Sequence, residues 1–280
     1  MPILSNLPAL PDLALMLVFL LAIGAFAGVI AGLLGVGGGI VLVPAFFYAF
    51  TFLGYANPKL MQICIATSLA TIIVTSIRSV TAHNRKGAVD WGILRSWAPG
   101  IMIGAACGVL VAAGLKTGTL QAIFGILGVV VGLYLGFGRA DWRIGQAMPG
   151  VITRSVLSPV LGFLSVLMGI GGGSFGVPLM SLYGVPIHRA VATASGFGVM
   201  IAAPSVLGFL FTAVPPDGRP PFTLGAVNLV AFVVILAVSL QTTTYGVKLA
   251  HAMNPKPLKR VFAVFLTVVA LNMLRKAAGW

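Results

Sequence analysis

The sequence predicts an all-α integral membrane protein made of two inverted five-segment repeats, and three observations lead there. Of its 280 residues, 59% are hydrophobic and only 8% charged, against roughly 25% charged in an average soluble domain. The apolar residues come in runs of about 16 to 24, long enough at about 1.5 Å per residue to cross some or all of a hydrocarbon layer roughly 30 Å thick. A glycine motif followed by a proline then occurs twice, 134 residues apart.

Ten segments follow from the runs and their breaks. The first, 12–34, is preceded by no Lys or Arg in Met1–Asn6, which argues against a cleaved secretory signal and for retention. The second, 38–54, begins in the cluster Gly35-Val36-Gly37-Gly38-Gly39 and carries Pro44. Segment 61–81 holds Gln62, Thr67, Ser68 and Thr71, with Arg78 near its end. Segments 93–113 and 119–137 carry Gly100, Gly104 and Gly108, and Gly128, Gly132 and Gly136, a small-xxx-small spacing read as close helix packing. Segment 151–169 runs into the second cluster, Gly169-Ile170-Gly171-Gly172-Gly173, and 174–184 carries the matching Pro178. Segment 190–212 holds Thr193 and Ser195, and 224–247 and 259–277 complete the second half.

The halves match beyond the glycines. Ala66-Thr67 corresponds to Ala192-Thr193, Gly87-Ala88-Val89 to Gly225-Ala226-Val227, and Leu120 with Phe124 to Leu258 with Phe262. The repeats are therefore 1–145 and 146–280, joined in one membrane domain. Five segments per repeat is odd, so the second half enters the membrane inverted. Of the 17 Lys and Arg, all but Lys59, Lys116, Arg219, Arg275 and Lys276 fall in the loops and segment ends of one side. The positive-inside rule makes that side cytoplasmic and puts both termini on the periplasmic or extracellular face. The number of crossings lies between six and ten, depending on whether the glycine clusters are re-entrant tips or loops between full spans.

Composition excludes several functions. The net charge of +13 orients the chain, and no basic stripe interleaved with aromatics offers a nucleic-acid surface. Cys64 and Cys107 sit in apolar runs without CxxC spacing, and His83, His188 and His251 are scattered in loops, so no metal or cofactor is implied. The acids Asp12, Asp90, Asp141 and Asp217 lie at segment ends or loops, leaving no intramembrane carboxylate for a proton relay. No catalytic constellation exists, and the chain is not expected to be an enzyme.

The glycine clusters are the candidate site. Consecutive glycines weaken a helix, and broken backbone persists in a membrane only where protein buries it or it lines a hydrated cavity. After each break a half-helix starts near Ile40 or Ser174 with free N–H groups and a positive dipole end, which attracts anions. Two such ends from inverted halves suit one small anion held between Gly37, Gly38, Gly39 and Gly171, Gly172, Gly173, with Ser174. Gln62, Thr67, Ser68, Thr193 and Ser195 are the second candidate lining, although Ser and Thr in membrane helices also bond back to their own backbone.

Gly32-Leu33-Leu34-Gly35-Val36-Gly37-Gly38-Gly39 with Pro44, and the weaker copy Met168-Gly169-Ile170-Gly171-Gly172-Gly173 with Pro178, resemble the TauE/SafE family of bacterial sulfite and organosulfonate exporters. The resemblance covers essentially the whole chain. It implies a secondary carrier in the bacterial inner membrane that moves sulfite, sulfoacetate or a related anion, usually outward, by alternating access. A passive anion channel and a non-transporting membrane partner are the competing readings. The expected partners are the small anion and the lipid bilayer, with a homodimer left open.

Overall fold

The computed structural model describes residues 10–34, 38–138, 142–252 and 255–280. Among the described residues, ten helices occupy the ten expected segments: α1 (Leu10–Leu34), α2 (Gly39–Phe52), α3 (Leu60–Arg85), α4 (Trp91–Gly114), α5 (Thr117–Phe137), α6 (Val151–Met168), α7 (Gly173–Leu182), α8 (Ile187–Leu210), α9 (Leu229–Ala252) and α10 (Pro255–Ala277). A two-residue antiparallel ribbon before α9 pairs Thr223 with Asn228 and Leu224 with Val227. Among the described residues, six helices are long and apolar enough to cross a membrane: α3, α4, α5, α6, α8 and the first part of α9. The chain is a multi-pass membrane protein. At 14 and 10 residues, α2 and α7 measure about 21 and 15 Å, short of the roughly 30 Å hydrocarbon layer.

Helices α3 and α8 pack together at the centre. Every residue of α3 from Leu60 to Ile72 is buried, as fits a helix enclosed by protein on all sides. Around them stand three tight pairs, α1 with α9, α4 with α6, and α5 with α10. The outer faces expose Leu110, Ile126, Val130, Ile152, Val264 and Val268, a surface suited to lipid and costly in water. Adding five to each helix number maps the main contacts onto one another. The pair α1–α9 becomes α6–α4, α2–α3 becomes α7–α8, α3–α9 becomes α8–α4, and α3–α8 and α5–α10 map onto themselves.

Small residues hold the outer pairs close. A Cβ on Gly104 would overlap the Pro159 carbonyl, and one on Gly100 the Ser158 hydroxyl, both on α6. A Cβ on Gly128 would stand 2.9 Å from Ala270 Cβ, and one on Gly136 3.5 Å from Ala263 Cβ, both on α10. These glycines pack helices, as their spacing predicts.

The halves are also clasped by two equivalent hydrogen bonds. Thr67 Oγ1 accepts the Asn228 N–H at 3.0 Å, and Thr193 Oγ1 accepts the Asp90 N–H at 2.9 Å. Asn228 and Asp90 each cap the helix that follows, through Ala231 N (2.8 Å) and Ile93 N (3.0 Å). The turns leading into these caps use matching left-handed glycines, Gly87 at φ 64° and Gly225 at φ 55°, a conformation that a side chain disfavours. One clasp has an addition: Arg189 Nη2 lies 3.3 Å from Asp90 Oδ2, with the two side chains 52% and 29% exposed. Removing so exposed a pair contributes little, so Arg189→Gln is expected to shift unfolding in detergent by less than about 1 kcal/mol.

Candidate functional site

Both glycine clusters terminate or start helices, and they do so against each other. Helix α6 ends where Gly169 turns left-handed at φ 63°, with its N–H on Val166 O and the Ile170 N–H on Ser165 O, both at 2.9 Å. This is the glycine-terminated helix end, and a Cβ there would stand 2.7 Å from Val43 Cγ2 and 3.0 Å from Ile65 Cα. Helix α7 then starts with Gly172 at its N-cap, and α2 starts with Gly38 at its own; no side chain caps either. The first N–H groups of both helices therefore lack intrahelical acceptors. A Cβ on Gly39 would lie 2.9 Å from Gly169 O and 3.1 Å from Ile170 Cα, so the two breaks abut. Ser68 Oγ donates to Gly169 O at 2.8 Å and ties the second break to α3.

Beside this junction lies a cavity of about 150 Å³, well above the roughly 10–15 Å³ that one water requires. Its floor is Gly38, Leu42, Ile72, Gly171, Gly172 and Gly173, and its walls are Thr71, Thr75, Ser76 and Ser79 of α3, Val191, Ala194 and Ser195 of α8, Ser239 and Thr243 of α9, and Ala27 of α1. None of the described lining residues is charged. From Thr71 to Ser79 the cavity follows α3 for about 12 Å toward the helix end that carries Arg85 and Lys86. On the other side of the junction α3 is buried without interruption from Leu60 to Ala70.

Of the residues expected at the site, Gly38, Gly171, Gly172, Gly173 and Ser195 line the cavity, and Gly39 forms the contact between the breaks. Gly37 lies outside the described residues. Ser174 is buried in the first turn of α7, with its hydroxyl on no partner. The others stand apart from the cavity lining. Thr67 and Thr193 are fully buried in the clasps, and Ser68 holds Gly169 O. Gln62 Nε2 donates to Ala112 O at 3.1 Å and Leu115 O at 2.6 Å, closing the last turn of α4.

The residues that sequence reading passed over are Thr75, Ser76, Ser79, Ser239 and Thr243. A signal existed: Thr71, Thr75 and Ser79 recur every four positions, as do Ser239 and Thr243, which puts each set on one helix face. The hydroxyls differ in what they offer. Thr71, Thr75, Ser195, Ser239 and Thr243 all donate to carbonyls of their own helices. Ser76 and Ser79 donate to no described residue, so only these two wall hydroxyls have a free proton for an anion.

With this geometry in place, comparison with known proteins adds the following. A family model described as "Sulfite exporter TauE/SafE" matches residues 20–273. A Haemophilus influenzae protein described as a "Probable membrane transporter protein" is 30% identical over 91% of this chain and 97% of its own. A Methanocaldococcus jannaschii protein with the same description is 24% identical over 94% and 97%. Bacillus subtilis YunE, also so described, is 33% identical over 63% of this chain and 71% of its own. No solved structure matches the chain at a significant level.

Proposed function

From the premise that the chain belongs to the sulfite exporter TauE/SafE family, and so is a membrane transporter, we propose that it carries a small sulfur-containing oxyanion out of the bacterial cell by alternating access. The observation that carries this reading is the cavity where both glycine breaks meet, uncharged and floored by uncapped helix starts. Backbone N–H groups and the positive ends of α2 and α7 attract an anion without a fixed cation. Ser76 and Ser79 add two free donors. An uncharged site binds a charged ligand weakly enough to release it on the far side, which a buried lysine or arginine would hinder.

The direction follows from charge and access. The cavity runs toward the end of α3 where Arg78, Arg85 and Lys86 stand, with Arg189 at the start of α8. On the positive-inside rule this is the cytoplasmic side, with both termini outside and the protein in the inner membrane. A site loaded from the cytoplasm and closed on the far side is the starting state of an exporter. The contacts that map onto themselves under exchange of 1–145 and 146–280 support inverted repeats that rock about the glycine junction.

Counterflow in proteoliposomes tests the proposal. Purified protein is expected to exchange internal unlabelled sulfite or sulfoacetate for external labelled anion. Conductance without exchange would assign a passive pore instead. Folded protein that moves neither anion nor any related sulfonate sinks the substrate assignment.

A further inference from the structure

We propose that the anion leaves by a second path, on the far side of the glycine junction, lined by Ile101, Ala105, Ile201, Ala202 and Ser205 and shut in this structure; the inference rests on the alternating-access reading above. The matched pairs Thr67–Thr193 and Gly87–Gly225 set the register of α3 against α8 and of α4 against α9. Carried along those helices, that register puts Ile201, Ala202 and Ser205 where the cavity has Thr75, Ser76 and Ser79. It puts Ile101 and Ala105 where the cavity has Ser239 and Thr243. Packing keeps the same correspondence. A Cβ on Gly28 of α1 would stand 3.0 Å from Ser239 O, and one on Gly162 of α6 would overlap Ile101 O; Gly28 and Gly162 are spaced as Gly35 and Gly169 are.

The two sets of residues differ in state. One lines open space, whereas all five counterparts are 0% exposed. Beside them the Trp97 ring stacks on Phe197, the counterpart of Thr71, with centroids 6.2 Å apart. Equivalent positions thus form a cavity on one side of the junction and a solid plug on the other. Halves that exchange conformations exchange these two states. Three of the five plug residues are Ala or Ser, so parting them uncovers little apolar surface. Helices α4 and α6, in contrast, are locked at Gly104, where a Cβ would strike the Pro159 backbone, and move as one body.

The path also suits release. The cavity's two free hydroxyl donors, Ser76 and Ser79, have as counterparts Ala202 and Ser205, and Ser205 Oγ donates to Ile201 O at 2.7 Å. An anion that enters the path leaves both free donors behind.

Thiol labelling tests the path. Ser205→Cys, Ala202→Cys and, as a marker of the cavity, Ser79→Cys are made singly in a Cys107→Ser protein, because Cys107 is exposed. Native Cys64, fully buried in α3, remains as the control. Right-side-out and inverted membrane vesicles carry sulfoacetate on both sides, so that the carrier turns over. Impermeant 2-sulfonatoethyl methanethiosulfonate is then added outside, with sulfite left out because it consumes the reagent. The face that labels Ser79→Cys is the face of the cavity. Ser205→Cys and Ala202→Cys are expected to react from the opposite face while Cys64 does not, and the labelled proteins are expected to lose sulfoacetate counterflow. Protein of either variant that exchanges sulfoacetate while its new cysteine stays unlabelled from that face overturns the path and leaves the carrier standing. Labelling of Cys64 at the same rate also overturns it, since access then comes from general loosening. Labelling of both variants in protein that exchanges no sulfur anion keeps the path and sinks the anion assignment.

Discussion

Gly171→Ala is expected to lower sulfite counterflow by more than about tenfold, the effect of one misplaced methyl group in a fitted pocket, while the protein still folds. Gly172→Ala, one residue on, is expected to fail by folding poorly. Both glycines line the cavity, but their surroundings differ. A Cβ on Gly171 meets only Ile72 side-chain atoms at 3.3 and 4.0 Å and Gly198 Cα at 3.9 Å. The methyl group is therefore accommodated once the Ile72 side chain gives by a few tenths of an ångström, and it occupies room beside the anion. A Cβ on Gly172 would run into Phe197 Cβ, and would stand 2.6 Å from Ala194 O and 2.9 Å from Gly198 N, on the backbone of α8. Forcing α7 off α8 costs about 1–3 kcal/mol. Fluorescence-detected size exclusion separates the two outcomes, with counterflow scored per folded molecule. If Gly171→Ala exchanges sulfite at the wild-type rate, the anion does not sit at the glycine junction.

The second large effect concerns stability. Thr67→Val and Thr193→Val are each expected to destabilise the protein by about 1–3 kcal/mol, because the first leaves the buried Asn228 N–H and the second the part-buried Asp90 N–H without its acceptor. Both threonines are fully buried, and their partners Asn228 and Asp90 start α9 and α4. Losing either bond frees a helix start from the central pair. Thr→Ser keeps the oxygen and is expected to recover most of the loss; thermal unfolding in detergent reads both. A Thr67→Val protein as stable as wild type would show that the clasp contributes nothing.

The threonines also show how a repeat can mislead. Their match across the halves marked them as candidate lining, on the argument that a feature kept in both copies serves a shared site. Repetition reports what both halves need, and both halves need a clasp between a central helix and the next cap. The glycines carried two meanings as well. Gly169 is needed for a left-handed helix end, Gly172 for contact with α8, and Gly171 is approached closely only by the Ile72 side chain. Nothing local to the motif separates these roles.

By itself the sequence determined the membrane class, the ten helices and the two breaks. Each of these depends on neighbours within a few turns: hydropathy over a run, the helical preference of apolar segments, and the low cost at glycine of leaving the helix. Tertiary structure alone decided which residues form the cavity. Ser76 faces it because α3 crosses α8 at Gly198, where a Cβ would strike the Ser76 hydroxyl. Ser239 and Thr243 reach it because α9 belongs to the same wall as α1 and α3. Those partners come from opposite halves, more than a hundred residues apart, where periodicity and composition have no reach.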